Sequence, residues 1–402
     1  MGIEVRTVRP DEVGAALAPI WHYFGRGVNE EDVERIGRIL PPERLHAAFA
    51  DGAVVGGAGA YALELTVPGG AVVPTAGVMA VGVLPTHRRR GVLTELMRRQ
   101  LDDARKWGEP LALLYASEGA IYGRYGYGIA SLAGEISAER EHAAFDRAPQ
   151  PVGVSRLVSH EEALELFPQV YDRVRAETPG MFARSRDWWE VRRLTSRPWM
   201  GGAELMRVVL EVDGRPEAYA VYSIGFAAEY GASTATLRVV EAMGTSPAPT
   251  STIWRYLFET DWYLKLECDF LPLDHPLFFL VREPRRLRFT LGEALWARLV
   301  AVGEALSARS FADEEPVVLE LADDFCPWNE GRWRVAPDEV ERTEADADLR
   351  VDVRELGSVY LGGFSFGQLA RAGRIEELRE GALARADDLF RTDRQPWCPE
   401  LF

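Results

Sequence analysis

A short arginine-rich segment after an apolar run has the pattern of a phosphate-binding site. The apolar residues 77–84 end at Pro85, and three arginines and a glycine follow at 88–91. Apolar residues then recur at helical spacing over 92–101, which predicts an amphipathic helix directly after the glycine. The first N–H groups of a helix have no partner within it, and the helix dipole is positive there. With arginines beside it, this helix start predicts a site for a phosphorylated cofactor.

Two other phosphate-binding motifs are absent or stand in the wrong sequence context. A Walker-type loop needs Gly-x-x-x-x-Gly-Lys-Ser/Thr, and nothing in the sequence matches it. Residues 57–62 have the loose spacing of a dinucleotide fingerprint, but 63–67 alternates like a strand and does not begin a helix. We interpret these glycines as part of a strand or hairpin.

The segment 363–367, Gly-Phe-Ser-Phe-Gly, has the spacing of a hydrolase nucleophile elbow. Such hydrolases need a histidine after the serine in chain order, whereas the last histidine here is His275. The residues before Gly363 also have a helix-like pattern rather than that of a strand. A turn in front of a helix is therefore the better interpretation.

Two segments, separated by one predicted helix and one predicted strand, resemble the hallmarks of GNAT-superfamily N-acetyltransferases. Residues 88–93 resemble the pyrophosphate loop, Gln/Arg-x-x-Gly-x-Gly/Ala, although Leu93 departs from its last position. Tyr122 precedes Gly126-Tyr127 by four residues, which is similar to the second hallmark. The alternative role for Tyr122 is aromatic packing. Both segments in this order predict an acetyl-CoA site.

Longer matches narrow the resemblance to one family. Residues 74–77, 85–91, 116–119 and 121–128 resemble the enhanced intracellular survival (Eis) acetyltransferases, and 356–362 is similar to the last domain of that family. The resemblance implies an α/β (α+β) chain with two GNAT-like domains in tandem, followed by a sterol-carrier-protein-like C-terminal domain.

The domain boundaries follow from composition together with this resemblance. The polar stretch 141–152 and the segment 274–287 both contain prolines. We predict a catalytic GNAT domain at 1–145, a GNAT-like domain without a cofactor loop at 146–287, and a sterol-carrier-protein-like domain at 288–402.

Periodicity and turn residues predict the individual elements. Strands are predicted at 3–8, 53–67, 71–83, 110–116, 206–212, 218–224, 235–241, 316–321 and 349–353. Helices are predicted at 11–24, 29–40, from 92, from 117, and at 252–259, 355–361 and 366–390.

The family resemblance also implies a mechanism of direct acetyl transfer from acetyl-CoA to a primary amine. It assigns the role of base to the C-terminal carboxylate of Phe402 and that of acid to Tyr122, and it involves no metal. An α-carboxyl group has a pKa of about 3.3–3.7 and is ionised at neutral pH. The implied cofactor-binding residues are Val81, Gly82, Val83, Arg89, Arg90, Gly91, Val92, Leu93, Thr94, Ser117 and Glu118.

The same resemblance implies substrates and partners. Family members acetylate polyamine-like amines, including aminoglycosides and lysine side chains, and assemble as homohexamers (trimers of dimers). The acidic face 29–32, Asn-Glu-Glu-Asp, and the aromatic residues Trp21, Tyr23 and Phe24 lie where GNAT folds form a substrate wall, although a solvated helix face and a helix core stripe explain them equally well. The alternatives from other classes are a CoA-binding regulatory protein and a lipid-carrier protein, each without transfer activity.

Composition limits the classes of partner. The chain has 402 residues and a net charge of −16, which disfavours nucleic acid and attracts cations. Three scattered cysteines argue against a disulfide framework. No apolar run is long enough for a membrane span, and no signal peptide is apparent, so we predict a cytoplasmic protein.

Overall fold

The computed structural model describes residues 2–142, 144–195, 203–225 and 227–402. These residues form two compact units. Unit 1 contains the described part of Met1–Ser131 together with Ala294–Pro396 and Leu401–Phe402. Unit 2 contains the described part of Leu132–Glu293 together with Trp397–Glu400.

The elements are numbered along the chain. The first part of unit 1 contains β1 Ile3–Thr7, α1 Val13–Tyr23, α2 Glu30–Gly37, β2 Leu45–Ala50, β3 Ala53–Thr66, β4 Val72–Val83, α3 Val92–Lys106, β5 Leu111–Tyr115, α4 Gly119–Tyr122 and β6 Gly128–Ile129. Unit 2 contains β7 Leu132–Glu139, β8 Val154–Leu157, α5 His160–Ala176, α6 Arg186–Trp188, β9 Met206–Val212, β10 Arg215–Ile224, β11 Ala228–Glu229, β12 Ala232–Ser233, β13 Thr236–Gly244, α7 Pro247–Glu259, β14 Lys265–Leu271, α8 Leu277–Leu280 and β15 Thr290–Glu293. The rest of unit 1 contains β16 Leu295–Leu299, α9 Val302–Ala308, β17 Val317–Ala322, β18 Gly331–Val335, β19 Val340–Arg342, β20 Leu349–Asp352, α10 Val353–Tyr360, α11 Phe366–Arg371, β21 Glu376–Glu377 and α12 Ala382–Leu389.

The larger sheet of unit 1 has the order β1-β2-β3-β4-β5-β16-β6. Its pairs are antiparallel except for β4 and β5, which run parallel. Helices α1 and α3 both contact β3 and β4. The glycines of the dinucleotide-like segment lie within β3, as expected for a strand. A Cβ at Gly57 would overlap the carbonyl oxygen of Ala16, so this glycine allows α1 to pack closely on the sheet.

Strand order shows that sequence neighbours belong to different units. Strand β7 follows β6 along the chain but lies in the unit 2 sheet, whose order is β15-β7-β14-β13-β10-β9-β8. Strand β16 follows β15 but lies in the unit 1 sheet, between β5 and β6. The sheet of unit 1 is therefore completed by a strand more than 160 residues after β6. The boundaries given above at 145 and 287 stay a prediction.

Unit 2 has a buried ionic cluster in addition to its apolar core. The core includes Phe167 and Tyr219, whose rings stack with centroids 4.5 Å apart. Arg184 is fully buried and pairs with both Glu241 and Glu400. Because an unpaired buried charge is costly, loss of any one of these three side chains would destabilise unit 2.

The remaining part of unit 1 contains a second sheet, of order β19-β18-β17-β20-β21. The predicted long helix over 366–390 is wrong, because α11 ends at Arg371 and α12 begins at Ala382. Gly373 and Gly381 both have positive φ, which ends one helix and precedes the next.

The serine of the elbow-like segment has a structural role. Ser365 caps α11, where its side chain accepts a hydrogen bond from the N–H of Gln368 at 3.2 Å. The turn before a helix is therefore confirmed. Over the described residues, no helix combines the length and apolar character needed to cross a bilayer.

Candidate active site

Strands β4 and β5 diverge beside the predicted phosphate loop. They pair from Thr75 to Gly77 with Leu111 to Leu113, and residues 78–83 of β4 extend beyond this ladder. Within that extension the pairing of β4 with β3 shifts register, and Ala80 has a φ of 54°. A bulge of this kind leaves backbone groups outside the ladder and bends the strand. The backbone of residues 78–83 is therefore not paired with β5.

The loop after β4 leads directly into the start of α3. A 3-10 turn at Pro85–His87 comes first, followed by Arg89 and Gly91 with φ of 61° and 83°. Helix α3 begins at Val92, as predicted, and its first intrahelical bond runs from the N–H of Glu95 to the oxygen of Gly91. The amides of 92–94 precede that bond and remain available to an anion.

A pocket of about 430 Å³ lies at this helix start. Its walls come from α1, the end of β4, the loop, α3 and the segment after β5. The lining residues are Ile20, Tyr23, Val81, Gly82, Val83, His87, Arg88, Arg89, Gly91, Val92, Leu93, Thr94, Ser117, Glu118, Ile121, Tyr122, Arg124 and Tyr125. Of the eleven predicted cofactor-binding residues, only Arg90 is missing from this set, and its side chain is exposed.

The pocket has a basic end and a single carboxylate. Arg88, Arg89 and Arg124 supply the positive charge, and Glu118 is the one acidic residue in the lining of this pocket as described. The hydroxyl of Tyr23 donates to Oε1 of Glu118 at 2.8 Å. That hydrogen bond raises the pKa of Tyr23 above its ordinary value.

Tyr122 lies at the end of α4 with 6% of its surface exposed. Burial, followed by the nearby Tyr125 and Glu118, raises the pKa of Tyr122 to about 12. The phenol is therefore neutral at physiological pH and can donate a proton rather than accept one. Its ring contacts that of Tyr127, with centroids 6.1 Å apart, so the aromatic packing considered above for Tyr122 is present, and its role as acid stays a prediction.

The ring of Phe402 packs on the sheet of unit 1. It makes edge contacts with Tyr115 and Tyr61, at centroid distances of 5.6 and 6.4 Å. A Cβ at Gly77 would clash with Leu63 Cδ1 at 2.5 Å and would lie in ordinary contact, 3.4 Å, with Phe402 Cε2, so the ring packs over this part of β4. Phe402 is thus docked where β4 and β5 are still paired, and its role as base stays a prediction.

The predicted substrate wall is only partly in the pocket. Tyr23 lines the pocket, whereas residues 29–32 do not. They belong to the start of α2, where Asn29 caps the helix and Asp32 pairs with Arg26 and Arg35. Sequence reasoning did not single out Ile20, Ile121, Arg124 and Tyr125. The last three are close to Tyr122 in the sequence, and this proximity could have identified them as residues that line the pocket.

One group in the described chain has the side-chain types and spacing of a cation site. The ligand atoms of Glu139, Glu141 and His142 lie within 4.8 Å of one another. Glu139 also pairs with Arg288, and His142 Nε2 lies 3.4 Å from Glu141. The group belongs to unit 2 and ion pairing accounts for it, so we assign it no part in the pocket's chemistry.

Comparison with protein families identifies the class of protein to which this chain belongs. An acetyltransferase (GNAT) domain family matches residues 4–130, a second acetyltransferase (GNAT) domain family matches 180–299, and the sterol carrier protein domain family matches 302–399. The chain is therefore a tandem GNAT acetyltransferase with a C-terminal sterol carrier protein domain, and acetyl-CoA is the cosubstrate of this class.

Relatives along the whole chain identify the family. An uncharacterized N-acetyltransferase of Streptomyces coelicolor is 40% identical over 100% of both chains. N-acetyltransferase Eis of Mycobacterium tuberculosis is 35% identical over 89% of both. The crystal structure of Eis1 from Mycobacterium abscessus superposes with a TM-score of 0.87, at 35% identity over 99% of this chain and 100% of that one. The protein belongs to the Eis family of N-acetyltransferases.

Two adjacent arginines provide a test of the pocket. Arg89 lines it and Arg90 does not. We expect Arg89→Ala to weaken CoA binding about tenfold, because a charge-assisted hydrogen bond contributes about 1.5 kcal/mol or more. Arg90→Ala, the matched control, should change the dissociation constant less than about twofold. Calorimetric titration with CoA measures both, and equal losses in the two variants would contradict the assignment.

Proposed function

We propose that this enzyme transfers the acetyl group of acetyl-CoA to primary amines of cationic, polyamine-like substrates, such as aminoglycosides or lysine side chains. The observation that carries the proposal is the presence of Tyr122 in the same pocket as the start of α3. A phosphate-binding helix start and a buried neutral acid are the two features that thioester aminolysis needs on the cofactor side.

The proposed cofactor contacts follow the lining of the pocket. The backbone of Val81, Gly82 and Val83 would hold the pantetheine arm, since the bulged end of β4 lies outside the β4–β5 ladder. The amides from Arg89 to Thr94 would bind the pyrophosphate. Ser117 and Glu118 are proposed as further contacts.

The proposed mechanism moves two protons. The attacking amine forms a bond to the thioester carbon and gives its proton to the C-terminal carboxylate of Phe402, directly or through water. The carbon–sulfur bond breaks, and the sulfur takes a proton from the phenol of Tyr122. Because its high pKa keeps Tyr122 protonated, the acid is ready at every physiological pH.

Charge supports a cationic substrate. The chain has a net charge of −16, which raises the local concentration of polycations. Glu118 adds a carboxylate inside the pocket, and the exposed ring of Tyr23, which lines the pocket, makes an edge contact with Phe24 at 5.0 Å. A homohexameric assembly and a cytoplasmic location remain part of this proposal.

Tyr122→Phe tests the proposed acid. With acetyl-CoA and a panel of amines, free thiol release should be rapid in the wild type, and kcat should fall about 10²–10⁴-fold in the variant. CoA affinity should be nearly unchanged, and the wild type should lose no activity to tyrosine ionisation up to about pH 10, because the pKa of Tyr122 is about 12.

Tyr127→Phe is the matched control for this substitution. Its hydroxyl is buried and has no hydrogen-bond partner among the described residues, so its removal should leave kcat close to wild type. CoA binding without thiol release for any amine would instead favour a CoA-binding regulatory protein. Equal losses of kcat and CoA affinity in Tyr122→Phe would favour a packing role.

The carboxylate of Phe402 can be tested without disturbing its ring. Adding a single glycine after Phe402 keeps the aromatic contacts with Tyr61 and Tyr115 but moves the charge by one residue. We expect kcat to fall at least about 10²-fold, as for loss of a general base, with CoA affinity retained. Unchanged turnover would remove this carboxylate from the mechanism.

A further inference from the structure

The segment 123–128, which runs from the turn after Tyr122 into β6, contains three glycines that the pocket does not explain. Gly123, Gly126 and Gly128 occur within six residues. Only Gly126 has a positive φ, at 82°. A conformational requirement therefore accounts for one glycine, and the other two need a different reason, such as close approach of another element.

At Gly123 that element is the guanidinium of Arg354. A Cβ at Gly123 would lie 2.8 Å from both Cζ and Nη1 of Arg354. Arg354 is in the first turn of α10, within the sterol carrier protein domain. The guanidinium thus packs on the backbone of the residue next to Tyr122.

At Gly126 the approaching group is the guanidinium of Arg298 on β16. A Cβ there would lie 2.5 Å from Arg298 Nη1 and 2.9 Å from Val353 Cγ1. Arg298 is fully buried, and its Nη2 donates to both oxygens of Asp323 at 2.8 and 2.7 Å. Asp323 also accepts from Asn329 at 2.9 Å. The sterol carrier protein domain therefore fixes this arginine against the turn.

At Gly128 the contact is with the backbone of α10 itself. A Cβ there would overlap the carbonyl oxygen of Arg354 and lie 2.5 Å from Ser358 Oγ. On the α10 side, a Cβ at Gly357 would overlap the oxygen of Ala297 on β16 and would lie in ordinary contact, 3.5 Å, with the N atom of Gly128. Helix and turn pack backbone to backbone, with no room for a side chain.

We propose that the sterol carrier protein domain is a positioning element of the active site, and that α10 and Arg354 hold the turn that places the Tyr122 hydroxyl. The proposal rests on the proposed role of Tyr122 as acid. It gives the domain a task in catalysis that needs no carried lipid. Arg354 and Arg298 act through Tyr122 and do not touch the reacting atoms.

The sharpest test compares Arg354→Ala in two backgrounds. In the wild type the substitution should lower kcat about ten- to a hundredfold, since misplacement of a catalytic group by about 1 Å has effects of this size. In Tyr122→Phe it should lower the remaining kcat less than about twofold, because the group it positions is gone. The KM for acetyl-CoA should stay within about twofold in each.

Controls separate this inference from the proposed function. Arg371→Ala removes an exposed arginine from α11 of the same domain and should leave kcat unchanged. If Tyr122→Phe itself keeps full turnover, the proposed function fails. If Tyr122→Phe is slow but Arg354→Ala costs the same factor in both backgrounds, the positioning role is overturned.

A second double-mutant cycle tests the positioning role even where Tyr122→Phe turnover is too slow to measure. Gly123→Ala places a methyl group where the Arg354 guanidinium lies, and the φ of −56° at this position suits alanine. It should lower kcat about fivefold or more in the wild type, and less than about twofold in Arg354→Ala, where the space is free. Equal losses in both backgrounds would overturn the proposal.

Discussion

The divergence of β4 from β5 is the constraint on which the site depends. Parallel strands that stayed paired to their ends would leave no opening in the sheet. Here the ladder stops at Gly77, and a bulge at Ala80 turns the end of β4 out of register. The same strand then leads into the start of α3, so the unpaired end of β4 and the free amides of 92–94 belong to one continuous segment.

The later part of unit 1 does not line the pocket but packs against the segment that follows Tyr122. Strand β16 covers the other edge of β5 and carries Arg298, whose buried charge is balanced by Asp323. Such a pair contributes little net stability compared with apolar packing, but it fixes geometry, because removing either partner leaves a buried charge. The absence of a side chain at Gly126 leaves the space that the Arg298 guanidinium occupies.

The parts of the structure set by local sequence could be predicted. Helix α3 begins at Val92 because the apolar period starts there, and ten of the eleven predicted cofactor residues line the pocket. The placement of β7 in the sheet of unit 2, and of β16 in the sheet of unit 1, could not be predicted, because strand pairing depends on long-range contacts. The prediction of one helix over 366–390 was wrong because Gly373 and Gly381 have positive φ, which interrupts the helix although the apolar residues keep a helix-like period.

Amide hydrogen exchange with and without CoA shows whether the start of α3 and the end of β4 bind the cofactor. The amides of 92–94 precede the first intrahelical bond of α3 and should exchange quickly in the free protein. We expect saturating CoA to slow their exchange at least about tenfold, together with that of the amides of 81–83, while exchange in 302–399 changes little. Unchanged exchange at 92–94, or protection confined to 302–399, would contradict this expectation.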